Sequence, residues 1–127
     1  MPEVNLANQS MTVDTGLDSV VIVHALETIP GGRTLDVAGF TPTVIRAGHV
    51  VIKETATGTY KPHPISGGAY AATPASHTVE GVVMSSVMTD KAMVSIMVRG
   101  TVNQVASPYA PTAGIKTALP LIRFTQD

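Results

Sequence analysis

Apolar and polar positions alternate most cleanly between residues 79 and 103. Two apolar runs, 82–87 and 92–98, flank Met88-Thr89-Asp90-Lys91. In the second run Ala92, Val94, Ile96 and Val98 fall on one side. Met93, Ser95, Met97 and Arg99 fall on the other, because successive side chains of a strand point to opposite faces. Strand, polar turn and strand predict a β-hairpin at the centre of a small β-domain. Four methionines, Met84, Met88, Met93 and Met97, crowd it. Methionine fills irregular gaps, so the Met side is either a second layer of the same core or a surface for self-association. The low charge nearby favours the second, with Met93, Met97 and Arg99 as candidate subunit contacts.

The remaining pattern is one of short strands and turns. Residues 19–26 are apolar on both faces, which predicts a strand covered on two sides or packed at an interface. Ile29-Pro30-Gly31-Gly32-Arg33 reads as a turn, and 34–37 as a short strand. Residues 44–53 read as two short strands pivoting at Ala47-Gly48. Thr57-Gly58-Thr59 is a hairpin turn leading into an edge segment, since Pro62 and Pro64 cannot donate to a ladder. Residues 63–78 carry no periodic signal and read as a long loop that is functional or contacts a partner. Residues 104–112 are irregular. Residues 112–119 hold one or two helical turns with Thr112 as cap, and 121–124 form a last strand. Residues 1–16 are polar and either fray or order on a partner. Their apolar exceptions, Val4, Leu6, Met11 and Val13, are the candidate contacts of such an arm. Residues 17–127 then form a single β-rich domain.

Composition sharpens this picture. The chain has 127 residues, 13% of them charged, about half the usual fraction near 25%. Part of so weakly charged a surface is expected to lie under other subunits. Net charge is −1, and the eight basic residues are scattered rather than clustered, which argues against nucleic acid. No apolar run is long enough for a transmembrane helix, and the N-terminus lacks a signal-peptide pattern. Cysteine is absent, which excludes disulfides and thiolate metal sites.

Candidate chemistry is sparse. The four histidines, His24, His49, His63 and His77, lack helical i,i+4 pairing and cysteine companions, so no zinc signature exists. His63, between Lys61-Pro62 and Pro64, is expected to be stiff and exposed. Gly31-Gly32 and Gly67-Gly68 lack the ending of a phosphate loop and are turns. Ser66-Gly67-Gly68 is not a nucleophile elbow. No nucleophile–base or metal constellation can be assembled. The expectation is a non-enzyme with no catalytic residues, no cofactor and no metal.

The order of several motifs resembles the head decoration proteins of tailed bacteriophages, of the lambda decoration-protein type or the related head-fibre proteins. Ile45-Arg46-Ala47-Gly48-His49-Val50-Val51 resembles their aliphatic–x–Ala–Gly–x–aliphatic opening. Thr57-Gly58-Thr59-Tyr60-Lys61-Pro62 resembles their Gly–x–Tyr–x–Pro turn. Glu80-Gly81-Val82-Val83-Met84-Ser85-Ser86-Val87 resembles one strand. Val94 to Asn103, with Arg99-Gly100-Thr101-Val102-Asn103, resembles the next strand and turn. Ala118 to Phe124 sits at the place of the closing strand. The resemblance covers 44–124, and residues 1–43 depart from it.

That resemblance implies a small compact β-barrel or β-tulip-like domain with at most one short helix. It implies a homotrimer on the outer surface of the virion, made in the host cytoplasm. The trimer would bind the major capsid protein and stabilise its lattice, with the N-terminal arm adding to the shell. The alternative is the base of a capsid head fibre that binds a host surface or carbohydrate. A fibre would require a further domain after the β-domain, and the sequence runs only to Asp127.

Overall fold

The computed structural model describes residues 16, 18–40 and 42–125. The arm residues Val4, Leu6, Met11 and Val13 lie outside the described residues. The fold is mainly β, as the pattern predicts. A one-turn helix α1 (Asp18–Val21) leads into β1 (Ile22–Thr28). There follow β2 (Arg33–Thr34), β3 (Val44–Ile45), β4 (Val50–Glu54) and β5 (Tyr60–Pro62). Next come β6 (Ile65–Ser66), β7 (Ala69–Tyr70), β8 (His77–Val83) and β9 (Val87–Met88). A 3₁₀ turn (Thr89–Lys91) precedes β10 (Met93–Val94) and β11 (Ile96–Asn103). Helix α2 (Ala113–Ala118) and β12 (Ile122–Thr125) complete the described chain.

The main sheet runs β1-β11-β8-β4-β5, with β12 also paired to β11. The β11–β12 pairing is parallel, and the others in this sheet are antiparallel. Three two-stranded sheets, β10-β2, β3-β9 and β6-β7, lie beside it. The sheets do not close into a barrel. Helix α1 is a second short helix, where the apolar run 19–26 pointed to strand throughout. Helix α2 follows its expected cap, the Thr112 hydroxyl accepting from the Ile115 amide.

The central sheet is buried on both faces. Val50, Val82 and Met97 belong to one apolar cluster, with Val21, Tyr70, Ile115, Leu119 and Ile122 around them. Their immediate neighbours Val51, Val83 and Ile96 belong to another, with Leu35, Ile45, Ala92 and Val94. Strand alternation sends consecutive residues to opposite sides, so each step along a strand feeds a different cluster. This corrects the expectation for Met97. It is 0% exposed, so it is packed inside the subunit rather than offered to a neighbour. Met93 is 68% exposed, and Arg99 is exposed too.

The central hairpin is present in modified form. Strands β8 and β11 are antiparallel neighbours, pairing Ile96 with Val83 and Met97 with Val82. Between them the chain leaves the sheet, so that β9 pairs with β3 and β10 with β2. Residues 63–78 are also more ordered than their composition indicates. Strands β6 and β7 pair across Gly67-Gly68, whose φ values of 60° and 79° are those of a mirror-image hairpin turn. His63 is 0% exposed, not exposed as its flanking prolines suggested.

The two-sided core makes opposite demands of two methionines four residues apart. Met97→Ala is expected to cost about 2–4 kcal/mol of stability, the usual range for emptying a buried methionine site. Met93→Ala is expected to stay within about 0.5 kcal/mol, as for an exposed position. Urea unfolding of the two variants checks both; equal midpoints would show that Met97 is not in the core.

Candidate functional site

Two places stand out: an exposed apolar sheet edge and a buried histidine–tyrosine cluster. The edge is β1. Among the described residues its partner strand is β11, and its register slips three times: between Ile22 and His24, Ala25 and Glu27, and Glu27 and Thr28. Val23 and Leu26 fall at the first two slips, where the ladder carries an extra residue on the β1 side. They are 52% and 58% exposed. With Val20 in α1, 45% exposed, they recur every third residue. A β-bulge twists an edge and re-aims its side chains, which here places large apolar groups in solvent on an otherwise irregular edge.

Residues of β11 support this edge. Gly100 has φ 155°, and a Cβ there would overlap the His24 carbonyl oxygen and the Met97 sulfur. The close approach of β1 to β11 therefore requires glycine at this point of the Arg99-Gly100-Thr101 stretch. Across the ribbon β1–β11–β12, Glu27 pairs with Arg99, His24 with Thr101, and Thr101 with Arg123. Leu121, 63% exposed, precedes β12. Apolar anchors beside arginines are the composition of interface centres.

The start of the edge is fastened by one carboxylate. Asp18 Oδ2 accepts from the Ser86 amide at 2.8 Å, and Asp18 Oδ1 accepts from the Ser86 hydroxyl at 2.7 Å. Ser86 Oγ in turn accepts from the Ala47 amide at 3.1 Å. The clamp joins α1 to the turn that leads into β9 and to the Ala47-Gly48 corner. It also occupies the serine hydroxyl as a structural donor and acceptor.

The buried cluster is held by complementary hydrogen bonds. His49 Nε2–H donates to the His63 carbonyl at 3.0 Å. His63 Nδ1–H donates to the Pro64 carbonyl at 2.9 Å, and its Nε2 accepts from the Thr73 hydroxyl at 3.1 Å. The carbonyl acceptors define these tautomers, because a carbonyl can only accept. Tyr70 OH accepts from the Val50 amide at 3.0 Å and donates to the Gly48 carbonyl at 3.4 Å. The His49 ring meets Phe40, Tyr70 and Tyr109 edge-on. Burial pushes the His49 pKa down to about 4 and lowers that of His63, while burial raises that of the Tyr70 phenol. Both rings are thus neutral near pH 7. Their hydrogen bonds run to backbone carbonyls and one threonine, which is a cross-linking arrangement rather than a general acid–base one.

Among the described residues, no group of three or more His, Asp or Glu side chains is placed to hold a metal ion. No described helix is long and apolar enough to cross a membrane. Of the residues singled out from the sequence, Arg99 and Met93 are at the surface but on different sheets, and Met97 is internal. The sequence pattern did not single out Val23, Leu26 or Asp18. The double-faced apolarity of 19–26 was the available signal for the first two, and its interface alternative fits their exposure.

Known protein families, curated proteins and solved structures provide no match to this chain.

Removing the Asp18 carboxylate isolates the role of the clamp. Asp18→Ala is expected to lower stability by about 1–3 kcal/mol, the range for losing hydrogen bonds to a charged acceptor. It is also expected to speed hydrogen exchange at the Ser86 amide. An unchanged Ser86 exchange rate would mean that the clamp does not hold in solution.

Proposed function

We propose that the chain is a structural protein of a bacteriophage virion. It decorates the outer surface of the capsid as a homotrimer and stabilises the lattice of the major capsid protein. The observation that carries this reading is β1, an edge strand exposed along both faces with Val23 and Leu26 in solvent. A large apolar edge is a liability for a free subunit and an asset for one that is covered on assembly. The low charged fraction, 13%, supports a chain whose surface is partly shared with neighbours. The resemblance of residues 44–124 to decoration proteins supplies the identity of those neighbours.

Such a role needs no chemistry. A ligand that binds the assembled shell and not its dispersed parts shifts the equilibrium toward the shell. Covering three half-exposed aliphatic side chains contributes roughly 1 kcal/mol each, at about 25 cal/mol per Å². A trimer presents the same patch three times, so the contributions act together as avidity. Met93 and Arg99 remain the proposed contacts between subunits, and Met97 drops out because it is internal.

The test begins with mass in solution, followed by mixing with expanded heads that lack the protein. The expected result is a trimer mass and saturable binding to the heads. The double variant Val23→Lys, Leu26→Lys is expected to keep its unfolding midpoint within about 0.5 kcal/mol per exposed site. It is expected to lose trimer formation or head binding. A monomer that binds heads at no stage of their maturation would overturn the proposal.

A further inference from the structure

The segment between β5 and β8 is fastened to β4 through a small number of polar contacts. The His63 amide donates to the Val50 carbonyl at 2.8 Å, and at the far end of the segment the Ser76 carbonyl accepts from the amide of Thr55, just past β4, at 3.0 Å and from its hydroxyl at 2.9 Å. The His63 carbonyl accepts from His49, the His63 ring is held by Thr73, and the Tyr70 hydroxyl bridges Val50 and Gly48. Beyond these contacts the segment is largely at the surface, with residues 66–69 exposed around the β6–β7 turn. Between residues 63 and 73 its side-chain attachment therefore runs through two histidine rings and one tyrosine, beside the single His63–Val50 backbone bond.

We propose that the His49–His63 pair is a proton-operated latch, in which acidification releases residues 63–76 from β4 while the main sheet stays folded. This inference stands apart from the capsid reading and does not depend on it. The groups around His49 are His63 and Tyr70 from the segment itself, Tyr109 from the 104–112 stretch, and Arg46 at the β3–β4 corner. None of them is an acid that would stabilise a charged ring. His63 faces Tyr70, Thr73 and its own neighbour Pro64, again without a carboxylate among these described contacts. A proton on either ring thus places a cation in an apolar, aromatic setting. A proton on both adds repulsion between them. His49 also lines a surface hollow of about 460 Å³ with Arg46 and Tyr109, which provides a route for the proton.

The direction of the effect follows from linkage. Burial holds both folded pKa values below the ordinary histidine value of 6.5. The closed form therefore binds fewer protons than the open form between about pH 6.5 and pH 4. Opening takes up protons and becomes more favourable as pH falls through that window. The latch is fully engaged above it. Strands β8 and β11 meet through valine, isoleucine and methionine, so their pairing holds no titrating side chain.

Hydrogen exchange between pH 7 and pH 4.5, expressed as protection factors, tests the latch. The amide of His63 is expected to lose about tenfold in protection per pH unit for each histidine that is neutral when closed. The amides of β11 are expected to keep theirs. Equal loss at the segment and the sheet would overturn the proposal, as would constant protection at both. His49→Gln retains an N–H donor for the His63 carbonyl but does not titrate, so its segment is expected to lose about tenfold less per pH unit than the native one. Where that variant does not fold, NMR titration of the native histidine rings decides. Neither ring is expected to charge near pH 6.5, and a ring at His49 that titrates there contradicts the latch.

Discussion

The constraint on which this fold depends is a sheet buried on both faces. Val50 and Val51, Val82 and Val83, and Ile96 and Met97 are adjacent in sequence but packed in different clusters. Each strand must then be apolar at consecutive positions, and each face must find a cover. Helix α2, β7 and β12 contribute residues over one face, through Ile115, Tyr70 and Ile122. The β3 and β10 ribbons cover the other, through Ile45 and Val94. A small chain that covers both faces of one sheet has few positions left for charge. The weakly charged composition is thus as much a consequence of architecture as of association.

At β1 the two-sided cover ends. The strand is tied to β11 by a ladder that slips around Val23 and Leu26, and Gly100 allows its close approach. Asp18 anchors its beginning to Ser86. The edge is therefore positioned by the body of the fold and yet left uncovered. Bulges discourage a neighbouring strand from extending the ladder, so a partner meets this edge through side chains more readily than through backbone pairing. That favours a shaped, specific contact over indiscriminate edge-to-edge aggregation.

Much of the local structure was legible in the sequence. The Ala47-Gly48 pivot, the Thr57–Thr59 turn, the Thr112 cap and the last strand follow from turn chemistry and capping, which act over a few residues. The errors arise where distant parts of the chain intervene. Alternation alone assigns Met97 to the outside, and only the arrival of α1, β7, α2 and β12 over that face makes it interior. The prolines beside His63 signal an edge correctly, but the ring is buried because Thr73, ten residues on, returns to bind it. The hairpin of 79–103 is interrupted because residues 84–95 find partners in β2 and β3. The Asp18–Ser86 clamp spans 68 residues, and nothing in the local sequence of either residue announces it. The apolar edge itself was visible as an unresolved choice between a covered strand and an interface strand; the exposure of Val23 and Leu26 shows that the described residues of the subunit do not cover it.

The central proposal is that this subunit assembles on a capsid and that β1 is the surface by which it meets its neighbours there. Hydrogen exchange at the amides of Ile22–Thr28, compared between the free protein and protein bound to expanded heads, tests it most directly. The account predicts that protection rises at β1 on binding while β4 and β8, already internal, change little. Binding that leaves β1 as exchangeable as in the free protein would contradict it.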